Sequence, residues 1–322
     1  MAIHYTQEQH DQKQRELAKL FGIPEEASAI AKRHDFEGVM FTNTSPPKSL
    51  LEIRDWETKE DDVFVATYPK SGTHWMWEIV LLTYARGLPK DIDRSRMLGA
   101  AFEMLTPPDF KVPGHEVYAK MDSPRITVTH LPWQFLPKQL TEGKKGKIIY
   151  VMRNPKDVLA SMSRFTFGSS GIDKETKMWE YALNTFLTGD MNYGSWFDHV
   201  GNYWKHRNLD NVFFTTYEEL KRDFQAVAKP LSKFLLGKEL DQEALKAVET
   251  NSSVKNMKKS YDEIEKSKPD GKLITRAMGA NPFIQKGVTG TWKEFFTVAE
   301  NELFDSVCKE KIAEWGFDVA YQ

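Results

Sequence analysis

Three short stretches of this chain combine residue types that can hold and act on an anion. The first is Tyr68-Pro69-Lys70-Ser71-Gly72-Thr73-His74-Trp75. It follows the apolar, β-branched run Val63 to Thr67, which reads as a buried strand closed by Pro69. It precedes Trp75, Ile79 and Leu82, spaced for an amphipathic helix running to about Tyr84. N–H groups in a first helical turn have no intrahelical partner, so Lys70 to Thr73 gather donors around one point that favours an anion. Lys70 adds charge, Ser71 and Thr73 add hydroxyls, and Gly72 leaves no Cβ in the way. The G-x-x-x-x-G-K-[ST] triphosphate pattern is absent, because Lys70 precedes the glycine. Ordinary turns share this composition, so the loop alone does not define a function.

The second stretch is Arg153-Asn154-Pro155-Lys156-Asp157-Val158-Leu159-Ala160-Ser161. Asn154 and Ser161 are seven positions apart, nearly two helical turns, and so share one face. Arg153 can offer a bidentate fork to a phosphate and Ser161 a hydroxyl from the same side. A structural ion pair and a small core residue are the alternative. The third stretch, Pro282 to Trp292, holds Gln285, Lys286, Gly287 and Gly290, a composition able to fold over a ligand and present backbone N–H groups.

The elements that must position these groups alternate. Helices are expected over 7–21, near 26–34, near 95–104, and over 175–188, 195–207, 223–236 and 241–250. Strands are expected at 38–42, 63–67, 125–130, 147–152 and 211–215, with a further helix starting at Asn154-Pro155. The proline-broken stretch 87–124 reads as a lid or pocket wall. Strands alternating with helices imply an α/β fold with a central parallel sheet flanked by helices, and in such sheets ligands gather at strand carboxyl ends. Lys70, His130, Arg153 and Tyr217 all fall there.

The chain has 322 residues, 40% of them hydrophobic and 12% aromatic, enough to bury a core. With no repeat or composition shift, it reads as a single domain, 1–322, with 1–35 as a peripheral segment. A net charge of −2 argues against bulk nucleic-acid binding. One cysteine, Cys308, permits no intrachain disulfide, no apolar run is long enough to span a membrane, and residues 1–19 are too polar for a signal peptide. A cytoplasmic location follows as the expectation, and the glycosylation-like Asn43-Thr44-Ser45 and Asn251-Ser252-Ser253 are read as unused. No His, Cys and carboxylate spacing suggests a metal.

The ordered motifs Tyr-Pro-Lys-Ser-Gly-Thr-x-Trp, Thr-His-Leu-Pro, Arg-Asn-Pro-Lys-Asp-x-x-x-Ser and Lys-Gly-x-x-Gly-x-Trp-Lys resemble those of the cytosolic sulfotransferases, over roughly residues 35–315. The resemblance implies a single α/β domain related to the P-loop kinases. It also implies transfer of a sulfonate group from 3′-phosphoadenosine 5′-phosphosulfate (PAPS) to a small hydroxyl or amine acceptor, leaving the bisphosphate PAP. By position, Lys70, Ser71, Gly72, Thr73, His74 and Trp75 would hold the 5′-phosphosulfate, with Trp75 near the adenine. Arg153, Ser161, Gln285, Lys286 and Gly287 would surround the 3′-phosphate, and Tyr217 and Ser252 the adenine and ribose. His130 would be the general base and Lys70 would stabilise the leaving phosphate. That suits an acceptor hydroxyl needing a base near neutrality and charge building on the bridging oxygen. No metal is required.

Several positions depart from the family pattern. His74 replaces a threonine, Val128 a lysine two residues before the histidine, Val254 an aromatic, Gln285 an arginine and Thr291 an aspartate. Fewer charges around the nucleotide imply weaker nucleotide binding, and Val128→Lys or Gln285→Arg is expected to tighten it. Lys293 to Glu302 matches the family's dimer segment, implying a homodimer. Phe102 and Phe165 lie in segments that line the family's acceptor pocket, suiting apolar or aromatic acceptors. The alternative is a nucleotide-binding protein of this fold with little turnover. A P-loop kinase is disfavoured by the lysine position and the lack of an obvious magnesium-binding carboxylate.

Overall fold

The computed structural model describes residues 4–21, 32–92, 101–106, 110–167, 178–267 and 287–319. The polar N-terminal run forms α1 (Gln7–Phe21). Next comes an antiparallel hairpin of β1 (Arg33–Phe36) and β2 (Val39–Thr42). Its turn uses Glu37 and Gly38, both with positive φ, the backbone that a two-residue hairpin turn requires. The helix expected near 26–34 is therefore corrected at its end. Arg33 and His34 pair with Thr42 and Phe41, and the rest of that span lies outside the described residues. Helix α2 (Pro47–Arg54) begins on a proline, whose fixed φ suits a first turn and disguises the helix as a turn in the sequence.

The central strand β3 (Val63–Thr67) is buried along its whole length, and α3 (Thr73–Tyr84) follows it after the loop. The described parts of the stretch 87–124 are less irregular than its prolines suggest. They hold a 3₁₀ turn at Pro89–Asp91, the short hairpin β4 (Leu105–Thr106) with β5 (Val112–Pro113), and α4 (Gly114–Ala119). The helix expected near 95–104 is corrected over Ala101 to Met104, which are not helical, while 93–100 lie outside the described residues. Phe102 N–H instead donates to Val128 O at 2.8 Å, laying this segment along β6 (Ile126–Thr129).

After a 3₁₀ turn (Trp133–Phe135) and α5 (Lys138–Thr141) come β7 (Lys147–Met152) and α6 (Pro155–Phe167). They are followed by α7 (Met178–Thr188), α8 (Trp196–Lys205) and β8 (Val212–Thr216). The last elements are α9 (Tyr217–Arg222), α10 (Phe224–Leu236), α11 (Gln242–Asn251), α12 (Val254–Ser267) and α13 (Val298–Trp315).

The sheet order is β6-β3-β7-β8, with every pairing parallel. Alternation along the strands divides the core. Phe64, Ala66, Ile148, Tyr150 and Met152 face α6, α7, α8 and α13, whereas Val63, Val65, Ile149 and Val151 face α3, α10 and α11. Each such buried Val, Ile, Leu or Phe contributes about 1.5–3 kcal/mol, so both faces rigidly fix where the strands end. The described residues of the N-terminal segment, 4–21 and 32–35, are tied to this body. Buried His10 contacts Tyr181 Oη at 2.6 Å and also Asp190, whose carboxylate accepts from Arg33 at 2.5 Å.

Candidate active site

The loop between β3 and α3 achieves its shape through two left-handed residues. Lys70 has φ 70° and Gly72, the residue before the helix, φ 100°. Gly72 is needed twice, since a Cβ there would also stand 2.8 Å from Tyr217 Cδ2. The start of α3 has no side-chain cap, leaving its first N–H groups to a ligand. Ser71 is fully buried, yet its Oγ has no hydrogen-bond partner among the described residues. A buried orphan hydroxyl beside a lysine and an uncapped helix start fits a phosphate oxygen. Thr73 Oγ1 lies 2.7 Å from Thr67 Oγ1, and the Lys70 ammonium sits 4.0 Å over the Phe165 ring. Burial, reinforced by Arg153, pulls Lys70 down to about 8. Burial, then Lys70 and His130, push His74 down to about 4, so its ring is neutral near pH 7.

His130 follows β6 beside this loop. Its Nδ1 lies 2.8 Å from Thr67 O, and a carbonyl only accepts, so Nδ1 carries the proton. The lone pair is left on Nε2, which has no hydrogen-bond partner among the described residues. Burial holds the imidazole below its ordinary value, opposed by the Glu103 carboxylate and the Thr67 carbonyl. Behind it, His199 Nε2 donates to His130 O at 2.9 Å, and His199 Nδ1 accepts from Tyr150 Oη at 2.9 Å. The Tyr193 ring meets the His130 ring edge-on at 5.5 Å. Sequence reasoning missed Glu103 and His199, which approach from 27 and 69 positions away. No local pattern marks either.

The second anion stretch forms the end of β7 and the start of α6. Arg153 is buried, donates to Lys70 O at 2.9 Å and to Val288 O at 3.4 Å, and lies 4.5 Å over the Tyr217 ring. Its Nε has no hydrogen-bond partner among the described residues. Asn154 caps the helix, Oδ1 accepting from Lys156 N at 2.9 Å, and Ser161 is buried two turns on. Asp157 was not singled out by the sequence. Its carboxylate accepts from Gly290 N at 2.8 Å, Thr291 Oγ1 at 3.1 Å and Trp292 N at 3.1 Å, binding the third stretch to the second. Thr291, the departure from the family aspartate, thus serves as an anchor point.

A cleft of about 690 Å³ opens beside these groups, lined by Trp75, Lys221, Arg222, Ser252, Ser253 and Val254 among others. Trp75 meets Tyr217 edge-on at 5.1 Å, and Lys221 lies 4.5 Å over the Trp75 ring. A Cβ on Gly287 would stand 2.4 Å from Val254 Cγ2, so the loop passes directly over Val254. Gln285 and Lys286 lie outside the described residues. The structure therefore brings Lys70, Ser71, Gly72, Thr73, His74, Trp75, His130, Arg153, Tyr217 and Phe165 into one region, with Ser252 in the cleft. Phe102 is different. It has no exposed surface and packs on Trp56 and Phe64 at 5.0 and 5.1 Å, a core aromatic behind the site.

Outside this region, Glu52, His115 and Glu116 bring potential metal-ligand atoms within 4.8 Å of one another. No local spacing marks that group, because Glu52 comes from α2 and the other two from α4.

Comparison with known proteins accounts for this arrangement. A sulfotransferase domain model matches residues 60–316. The chain is 36% identical to a 3-beta-hydroxysteroid sulfotransferase of Cavia porcellus, covering 86% of this chain and 93% of that protein. It is 33% identical to an amine sulfotransferase of Oryctolagus cuniculus, covering 87% and 91%. The crystal structure of mouse sulfotransferase SULT7A1 complexed with PAP superposes with a TM-score of 0.66 at 30% identity, covering 87% and 94%. The matched span contains the uncapped loop, the strand-end histidine and the arginine beside them, and the chain belongs to the sulfotransferase family.

Proposed function

We propose that this sulfotransferase takes a sulfonate from PAPS and places it on a hydroxyl, or an amine, of a small apolar or aromatic acceptor, releasing PAP. In the step, a new bond forms between the acceptor oxygen and sulfur while the bond from sulfur to the 5′-phosphate oxygen breaks. His130 Nε2 takes the acceptor proton. Lys70 and the N–H groups of the loop stabilise charge growing on the leaving phosphate. Arg153 and Ser161 hold the 3′-phosphate, aided by Lys286 and Gly287, while Trp75, Tyr217 and Ser252 enclose the adenine and ribose. Phe165, beside Lys70, forms part of the acceptor wall.

The observation carrying this reading is the fixed tautomer of His130. With Nδ1–H held on Thr67 O, a basic nitrogen remains available beside a lysine and a buried, unpartnered serine hydroxyl. Calorimetric titration with PAP and with ATP tests it. The expectation is tight binding of PAP only, weakened by Arg153→Ala, followed by turnover of labelled PAPS that is lost in His130→Ala. Binding of ATP instead, or of neither, would overturn the reading. Valine at 254, where an aromatic often stacks, favours the second reading of a nucleotide-binding protein with little turnover, and PAP binding without turnover of any acceptor would select it.

The chain is further proposed to act as one domain, with 1–35 as an appended segment, and as a homodimer through Lys293 to Glu302. Val298 supports the dimer, being a large apolar residue 75% exposed at the start of α13. A cytoplasmic setting suits a lone, buried cysteine. No helix among the described residues is long and apolar enough to cross a membrane.

A further inference from the structure

Among the described residues β6 is the edge of the sheet, and the outward backbone groups at its end have no neighbouring strand there. The non-helical segment Ala101 to Glu103 covers that edge. Phe102 N–H pairs with Val128 O, and the fully buried Glu103 completes the cover with its side chain. One carboxylate oxygen, Oε1, accepts from His130 N at 3.1 Å. The other, Oε2, accepts from Thr129 Oγ1 at 2.8 Å. Thr129 Oγ1 in turn accepts from Leu131 N at 3.1 Å, so the turn carrying His130 is stitched on both sides. Tyr193, whose ring lies against the imidazole, also hydrogen-bonds Glu103.

A bond to the backbone of the histidine differs from the familiar carboxylate on its ring. The ring proton already goes to Thr67 O, while Glu103 holds the peptide from which the ring projects. We infer that Glu103 is a positioning residue for the reaction. It fixes the His130 backbone so that Nδ1 meets Thr67 O, and its negative charge balances the imidazolium formed when Nε2 accepts the acceptor proton. The charge acts in the direction needed, since the Glu103 carboxylate opposes the burial that otherwise weakens the imidazole as a base. This rests on the reading of His130 as the base.

The first test is independent of turnover. ¹⁵N-histidine NMR follows His130 through a pH titration in the unaltered protein, Glu103→Gln and Glu103→Asp. The Gln variant keeps the shape but not the charge, and its His130 titration is expected to fall by about half a pH unit or more. In the Asp variant it should stay close to the unaltered value. Identical titrations in all three proteins would overturn the inference. The second test is single-turnover sulfonation of 2-naphthol with PAPS. Glu103→Asp retracts the carboxylate by one methylene, so the rate should drop by about tenfold, while the dissociation constant for PAP is unchanged. A purely structural role would lower thermal stability but leave titration and rate alone. If Glu103→Gln fails to fold, Glu103→Asp decides, and an unaltered rate overturns the inference. No turnover of 2-naphthol by the unaltered enzyme, with the titration difference present, would count against a phenolic acceptor and leave the hold of Glu103 on His130 standing.

Discussion

Raising the pH should weaken nucleotide binding in a window set by Lys70. In the free protein its ammonium is pulled to about 8, burial being the main cause and Arg153 the second. A phosphate seated in the loop selects the charged form and would return the pKa toward its ordinary value. The free protein loses that form as pH rises through about 8, so binding must then take up a proton. Affinity for PAP should be level below about pH 7. By pH 9 roughly one Lys70 in ten remains charged, and the dissociation constant should have risen about tenfold, equivalent to about 1.4 kcal/mol. Phosphate groups complete their own ionisation nearer pH 6, so they do not contribute in this range. Calorimetry between pH 7 and 9.5, in buffers of different ionisation enthalpy, measures both affinity and proton uptake. Lys70→Arg should abolish the slope, because a guanidinium stays charged. It also separates Lys70 from Lys221, whose pKa is lowered by burial and then by Arg153. A flat dissociation constant without proton uptake would refute the reasoning.

Other outcomes follow from the same geometry. Gly72→Ala combines a left-handed φ of 100° with a Cβ 2.8 Å from Tyr217, and should cost about 2–4 kcal/mol, visible as a lowered Tm and weaker PAP binding. Unchanged values in both would show that the loop can adopt another backbone. Asp157→Asn weakens three hydrogen bonds to Gly290, Thr291 and Trp292, and should weaken PAP binding by about tenfold while speeding proteolytic cleavage near residue 290. Cleavage at the unaltered rate would argue against the anchor. Val298→Glu should shift the protein toward monomer in sedimentation experiments, and an unchanged sedimentation coefficient would remove that segment from the interface.

The strands and the groups at their ends were legible because both are local. Five buried residues from Val63 to Thr67, then a proline and a glycine loop, encode a strand, a turn and a helix start within one window. The groups organising His130 were not legible. Glu103 falls in a stretch expected to be helical, and its meaning comes from lying along an unpaired sheet edge. Tyr150 and His199 read as core residues, and only the packing of α8 on β7 makes them a hydrogen-bonded pair. Val128 shows the limit most clearly. The sequence commends Val128→Lys as a route to tighter nucleotide binding. In the fold Val128 is 7% exposed and belongs to the apolar cluster containing Val65, Met76 and Ile79. A lysine there would have to extend its stem past that cluster to reach water or phosphate, so any gain in affinity comes against a loss of stability.

Lys70 faces two ways. Its left-handed backbone presents its carbonyl to Arg153 while its side chain lies over Phe165. On the proposed assignment, the group that meets the sulfonate end of the donor is therefore joined by one hydrogen bond to the group that meets the 3′-phosphate. The two ends of the site behave as the jaws of a caliper with a fixed span. A ligand bearing one phosphate, or several on a single chain, can satisfy one jaw and leave the other empty, however strongly it is charged. Selection of the donor is then a measurement of length between two anions, and changes in the acceptor wall can occur without resetting it.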